Sequence, residues 1–107
     1  MAVYIDDMYR HRIGEFRDMR MSHMIADSDD ELHAMAARIG MKREWYQGDH
    51  YDVPLTRRDQ AIAFGAIPIT YRQCGAMRRR RQIEGACGLA EDAANWYRKY
   101  RQGLREI

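Results

Sequence analysis

Trp45-Tyr46-Gln47-Gly48-Asp49-His50-Tyr51-Asp52 sets two carboxylates and an imidazole in one turn behind an aromatic pair. If Glu44–Gln47 is a strand, that turn lies at its carboxyl end. Two other acidic groups stand in the same relation to short apolar runs. Asp6-Asp7 follows Ala2-Val3-Tyr4-Ile5, and Asp27 follows His23-Met24-Ile25-Ala26. In open α/β sheets, ligands bind beyond the carboxyl ends of the strands. Three neighbouring strands of this kind would bring Asp6, Asp7, Asp27, Asp49, His50 and Asp52 to one rim.

Outward from that turn, the pattern alternates strands with helices. Ala2–Ile5 is β-branched and aromatic and ends at acids, as a short buried strand does. Met8–Ser22 has no clean period around Gly14 and reads as a loop, long enough to cover a site as a lid. Ser28-x-x-Glu31 is a capping box, and Asp29 and Asp30 add charge where the helix dipole favours it. Leu32, Met35, Ala36 and Ile39 then recur at helical spacing up to Gly40, placed for a left-handed C′ position. Thr56-x-x-Asp59 is expected to cap a second helix through Ala61, Ile62 and Phe64 to Gly65. Ile67-Pro68-Ile69 reads as a very short edge strand, because Pro68 has no donor. Thr70-x-x-Gln73 opens a third helix towards Ile83, with Gly85 and Gly88 as breakers. Leu89, Ala93, Trp96, Tyr97, Tyr100 and Leu104 mark a final amphipathic helix. The order predicts one α/β domain over residues 1–107, with a small, mostly parallel sheet of three or four strands flanked by helices. Residues 1–70 would form its core and 71–107 a C-terminal helical extension.

A chain of 107 residues is a single domain on length alone. No apolar run approaches the roughly 20 residues needed to cross a bilayer. Asp6 and Asp7 interrupt the order of charges that a signal peptide would show, so the expected compartment is the cytoplasm, bacterial or that of an infected host. Cys74 and Cys87 have neither CxxC spacing nor a paired histidine and read as buried free thiols. Most of the 8 methionines are expected in the core, with Met19-Arg20-Met21 as an adaptable contact surface. Charge is uneven: 7 basic against 11 acidic residues through Leu55, then 11 against 5 from Thr56 onward. Walker, GxGxxG, nucleophile-elbow and zinc-helix motifs are all missing, which weighs against ATPases, dehydrogenases, α/β hydrolases and zinc proteases.

Four strings carry a resemblance. They are Val3-Tyr4-Ile5-Asp6-Asp7, His23-Met24-Ile25-Ala26-Asp27, Glu31-Leu32-His33-Ala34-Met35-Ala36 and Trp45 through Asp52. In this order and spacing the chain, from about Val3 to Thr70, resembles a small family of unknown function found in bacteria and their phages. The resemblance brings no reaction. It implies a cytosolic accessory protein, plausibly phage-encoded.

Three chemistries suit these residues. In the first, Asp6, Asp27, Asp49 and Asp52 are hard oxygen ligands for Mg²⁺ or Mn²⁺. His50 is then a ligand or general base, with Asp49 beside it in the catalytic pair, and the reaction is metal-assisted phosphoester hydrolysis. The local alternatives are Asp27 as a helix cap, Asp49 in an Asx-turn, and Asp52 paired with Arg57 or Arg58. His23 either faces the same crevice or is a satisfied half-buried residue; His33 is expected to face solvent. In the second, the protein holds a nucleotide-like ligand without turning it over. Trp45, Tyr46 and Tyr51 stack on a base, Gln47 adds a polar contact, and Arg57, Arg58 and Arg72 grip phosphate. In the third, Arg78–Arg81 and Tyr97-Arg98-Lys99-Tyr100-Arg101 meet nucleic acid. The plainer uses are a solvated helix face for the arginine run and a homodimer seam for the 89–104 helix.

Overall fold

The computed structural model describes residues 2–105. Its strands are β1 (Val3–Ile5), β2 (Glu15–Phe16), β3 (Met19–Ala26), β4 (Tyr51–Pro54) and β5 (Ile67–Pro68). Its helices are α1 (Asp29–Arg38), α2 (Leu55–Ala63), α3 (Tyr71–Glu84) and α4 (Ala93–Arg105). The class is therefore mixed α/β, with the expected C-terminal helix present.

The expectation of a mostly parallel sheet is corrected. The strands run in the order β2-β3-β1-β5, with β4 also paired to β3. β3 is antiparallel to β1, β2 and β4, and only β1 with β5 is parallel. The cause lies in Met8–Ser22. That segment forms two 3-10 turns and then a hairpin, β2 to β3, which returns the chain beside β1 in the opposite direction. β3 consequently starts at Met19, well before the apolar run His23–Ala26 that marked it in the sequence. The second correction falls on the opening stretch. Arg43–Trp45 is a 3-10 turn rather than a strand, and the strand is Tyr51–Pro54, after the Gly48-Asp49-His50 turn.

Side-chain alternation places the core on both faces of the sheet. Ile5 and Met24 point to one face and pack with Leu32, Ile39, Tyr51, Val53 and Ala61, under α1 and α2. Tyr4 and Ile25 point to the other and pack with Ile69, Cys74, Met77, Cys87 and Ala93, under α3 and α4. Both cysteines are free and buried. Burial raises both thiols, Cys87 to about 12, so neither is a thiolate near neutral pH. Met1 lies outside the described residues.

The helix ends follow local chemistry. At α1 the Ser28 hydroxyl accepts from the Glu31 N–H at 3.2 Å and donates to the Glu31 carboxylate at 2.9 Å. The carboxylate thus reaches the hydroxyl, and the reciprocal half of the expected box is not formed. Gly40 takes φ +77° after the last turn, as placed. At α3 the box is complete, with Thr70 and Gln73 each satisfying the other's backbone N–H. The expected Thr56 cap is corrected: Pro54 caps α2, and Thr56 lies inside its first turn. Pro68 sits in β5 at the end of the strand order, as its missing donor requires. α4 begins at Ala93, after a 3-10 turn at Ala90–Asp92, so Leu89 stands outside it. No helix among the described residues is long and apolar enough to cross a membrane.

Gly14 fixes how the Met8–Ser22 excursion lies on the sheet. A Cβ there would meet the backbone carbonyl of Met8 and come within 2.9 Å of that of Met21. Backbone atoms cannot rotate away as a side chain can. Gly14→Ala is expected to destabilise the protein by about 1–3 kcal/mol, the usual range for overpacking, as read from urea unfolding. A loss near zero would mean that this excursion is not seated as described.

Candidate functional site

The site starts from one register. Ile5 pairs with Met24 across the β1–β3 ladder, so Asp6, the next residue, lies beside His23. The Asp6 N–H donates to the His23 carbonyl at 2.9 Å. Its carboxylate is fully buried. Oδ1 accepts from the backbone N–H of His23 at 2.8 Å and of Met8 at 3.0 Å, and Oδ2 lies 2.9 Å from His23 Nδ1. An ionised carboxylate only accepts, so this network puts the proton of neutral His23 on Nδ1.

On its other side, β3 pairs His23 with Asp52 of β4. Directly opposed residues share a face, so His23 Nε2 comes within 3.8 Å of Asp52 Oδ1. His50 precedes β4, and its ring meets His23 edge-on with centroids 4.9 Å apart. Its Nε2 is 3.5 Å from the same Asp52 Oδ1. Its Nδ1 is 2.7 Å from Asp49 Oδ1, and Arg78 of α3 grips that carboxylate with Nε at 3.0 Å and Nη2 at 3.2 Å. Gln47 closes the loop with a backbone bond to the His50 carbonyl at 2.9 Å, and its side chain donates to Asp52 Oδ2 at 2.7 Å.

The outcome is symmetrical. Each imidazole gives its Nδ1 to a carboxylate, His23 to Asp6 and His50 to Asp49, and turns Nε2 towards Asp52. Asp52 Oδ1 is buried and has no hydrogen-bond partner among the described residues. Both Nε2 contacts exceed the normal bond length of about 2.7–3.2 Å. The three ligand atoms lie within 4.8 Å of one another. Ligands about 2.0–2.2 Å from a tetrahedral ion stand roughly 3.4 Å apart, close to the 3.5 and 3.8 Å between the two imidazoles and Asp52 Oδ1. With both rings neutral, three acceptors converge on one point with no donor between them. That arrangement favours a positive charge there, either a proton or a cation.

The local electrostatics agree. Burial opposes charge on His50, but Asp52 and Asp49 outweigh it and raise the imidazole above 6.5. Burial likewise opposes charge on Asp49, yet Arg78 and His50 hold that carboxyl below its ordinary 3.8. Asp52 is lowered chiefly by His50, against its burial and with help from Gln47.

Several residues expected at the rim are elsewhere. Because β3 runs against β1, its carboxyl end lies at the opposite edge of the sheet. Asp27 is there, accepting from the Cys87 N–H at 3.2 Å, and it does not join the cluster. Asp7 accepts from the Tyr71 N–H at 2.7 Å and so anchors the start of α3. Asp6 is brought to the cluster, but its oxygens are spent on backbone donors and His23. Tyr51 is fully buried, with its hydroxyl 2.7 Å from Nδ1 of His33, so His33 also has an internal partner. Trp45 is half exposed beneath Lys42, and Tyr46 meets Asp29 and the Gly48 carbonyl. Arg57 donates to the Ile39 carbonyl at the end of α1. Arg58 donates to the Asp6 carbonyl at 2.9 Å and lies over Tyr9. Asp52 therefore pairs with neither arginine, and Trp45, Tyr51, Arg57 and Arg58 do not form a common nucleotide platform.

Two participants escaped the sequence reading. Arg78 reads there as one of four similar arginines. In the structure Arg78 and Arg81, one turn apart, face the acids Asp49 and Asp29, while Arg80 pairs with Glu84. Cys74 offers a sulfur to the group formed by Asp6 and His23, where burial keeps it a thiol. Beyond His23 opens a groove of about 1080 Å³ between α3 and α4.

Comparison with known proteins places the chain in a family. The model of a family described as "Protein of unknown function (DUF4031)" matches residues 3–81, and the chain belongs to that family. The match runs past Thr70 and takes in α3 through Arg81, including Arg78. Neither curated proteins nor solved structures gave a match.

Two expectations follow for the metal-free protein. Asp6→Ala strands three donors, one buried and two partly buried, and should cost about 2–4 kcal/mol in urea unfolding; a change below about half a kilocalorie would remove Asp6 from its central place. Because the fold raises the His50 pKa, its stabilisation is fully present below 6.5 and fades as pH rises through the raised value. Asp49 and Asp52, being lowered, stabilise above 3.8 and lose this as pH falls through their lowered values. Stability should thus peak in the mildly acidic range and decline towards pH 8. His50→Gln should flatten that decline, and an unchanged profile would contradict the assigned contacts.

Proposed function

We propose that His23, His50 and Asp52 hold a divalent ion and that the protein hydrolyses a phosphoester bond in a phosphate-containing ligand. The observation that carries this reading is the orphaned Asp52 Oδ1 facing two Nε2 atoms, each from a ring oriented by its own carboxylate. Metal-bound histidines commonly give their other nitrogen to a carboxylate, which fixes the ring and strengthens the ligand. Asp6 and Asp49 fit that supporting role. Two imidazoles and one carboxylate suit Zn²⁺ or Mn²⁺ better than Mg²⁺, which prefers oxygen donors and keeps its waters.

Three protein ligands leave coordination positions for water and substrate. An ion so held would lower the pKa of bound water and neutralise charge on a phosphoryl group. His50 would then be a ligand rather than a free general base, leaving the ion-bound water as nucleophile. Arg78 joins the two parts of the site, since it holds Asp49 and also lines the adjoining groove. It would orient Asp49 and, with it, His50.

The test is metal binding and turnover on chelator-treated protein. Zn²⁺ or Mn²⁺ should bind at one ion per chain, and an activated phosphodiester should be hydrolysed only by the loaded protein. Asp52→Asn and His23→Gln should abolish both properties. Asp49→Asn, acting through His50, should weaken the ion by about 10–100-fold. Weak binding that ignores these substitutions would contradict the centre. Tight binding with no hydrolysis, together with retention of an unaltered phosphate compound, would favour a sequestering protein instead.

A further inference from the structure

We infer that the groove between α3 and α4 receives a single-stranded polynucleotide, led along arginines to the His23 end. The inference about binding stands on the groove alone. Cleavage of that strand rests on the metal reading above.

Arg72, Arg78 and Arg79 line one wall, and Arg98, Arg101 and Arg105 the other. Among the described residues, no aspartate or glutamate lines the groove. Of these six guanidinium groups only Arg78 has a carboxylate partner among the described residues. The remaining five have no carboxylate partner among the described residues, and an open groove of one sign concentrates its field on an incoming anion. Elsewhere on α3 the arginines are neutralised, Arg80 by Glu84 and Arg81 by Asp29. On α3, the arginines left without a carboxylate partner among the described residues are thus the groove-lining Arg72 and Arg79.

Size and shape argue for a polymer. About 1080 Å³ lies just above the roughly 300–1,000 Å³ of a pocket for one small molecule, and five arginines without a carboxylate partner among the described residues exceed what one phosphate can use. Tyr71 and Tyr97 also line the groove, interspersed with the arginines. Aromatic rings beside a charged track stack on unpaired bases of any sequence. A duplex hides its base faces and offers such rings nothing to stack on. An acidic peptide would use the charge but not the rings.

Position links groove to chemistry. His23 lines the groove, and its Nε2 faces Asp52. A strand lying along the arginines would pass a phosphodiester over the proposed ion. In the hydrolysis, ion-bound hydroxide would form a new P–O bond and the P–O bond to the departing sugar oxygen would break. That oxygen would take up a proton from solvent, so water is the only co-reactant.

The test separates binding from cleavage by using fluorescence anisotropy of labelled oligothymidylate and oligouridylate in chelator. Both should bind the intact protein, with a log–log salt slope of about −3 to −4 if five phosphates are contacted. Arg98→Ala with Arg101→Ala should weaken binding at least about tenfold and flatten that slope by roughly 1.4. Tyr97→Leu should weaken binding about tenfold while leaving the slope unchanged. Arg12→Ala, outside the groove lining, should bind as the parent does. Equal binding of a matched duplex, equal competition by a mononucleotide or by polyglutamate, or indifference to the arginine changes would each overturn the inference. Retained oligonucleotide binding without metal-dependent cleavage would leave the groove standing and overturn the proposed hydrolysis alone.

Discussion

The structure depends on one buried charge. Asp6 has no exposed surface, and a carboxylate in that position is tolerated only when its lone pairs are fully used. Two backbone N–H groups and the His23 ring supply the donors, and Arg58 binds the carbonyl of the same residue. These contacts tie the end of β1 to the turn that follows it, to β3 and to α2. They also choose the tautomer of His23. A structural anchor and an orienting group for a site are here the same carboxylate.

The cluster is assembled across strands rather than around their ends. β3 touches β1 on one flank and β4 on the other, so its central residue, His23, meets Asp6 through one ladder and Asp52 through the second. His50 and Asp49 arrive from the loop that enters β4, and Arg78 locks that loop to α3. A one-residue slip of β4 would send Asp52 to the opposite face and empty the site. The packing of Tyr51 and Val53 on the core side opposes such a slip.

Much of this is legible in the sequence, and most of the misses share a cause. The Ser28 N-cap, the full capping box at Thr70, the spacing along α1 and the edge position of Pro68 are local properties and are found, whereas the equally local box expected at Thr56 is not. The strand direction is not local. Met8–Ser22 contains no feature that distinguishes a crossover from an excursion ending in a hairpin, so Asp27 was expected with Asp6 when it lies at the other edge. Likewise Trp45-Tyr46 has the composition of a strand, but the pairing partner that defines one goes to Tyr51–Pro54. Asp6, Asp49, His50 and Asp52 lie in one cluster, assembled across strands and a loop rather than at a shared rim of strand ends. Their division into ligands and supports depends on which oxygens the backbone consumes, and no spacing reveals that.

What joins this centre to the rest of the molecule is polarity of two kinds. A compact acidic and imidazole cluster sits at the edge of a groove whose open charge is entirely positive. The direct measurement of the central claim is long-range ¹⁵N–¹H correlation of the histidine rings in metal-free protein, at a pH above the His50 titration. The account predicts that His23 and His50 both carry their proton on Nδ1, with unprotonated Nε2 atoms that shift together on adding one equivalent of Zn²⁺. Finding either ring protonated on Nε2 alone, or Nε2 resonances that ignore the ion, would contradict it.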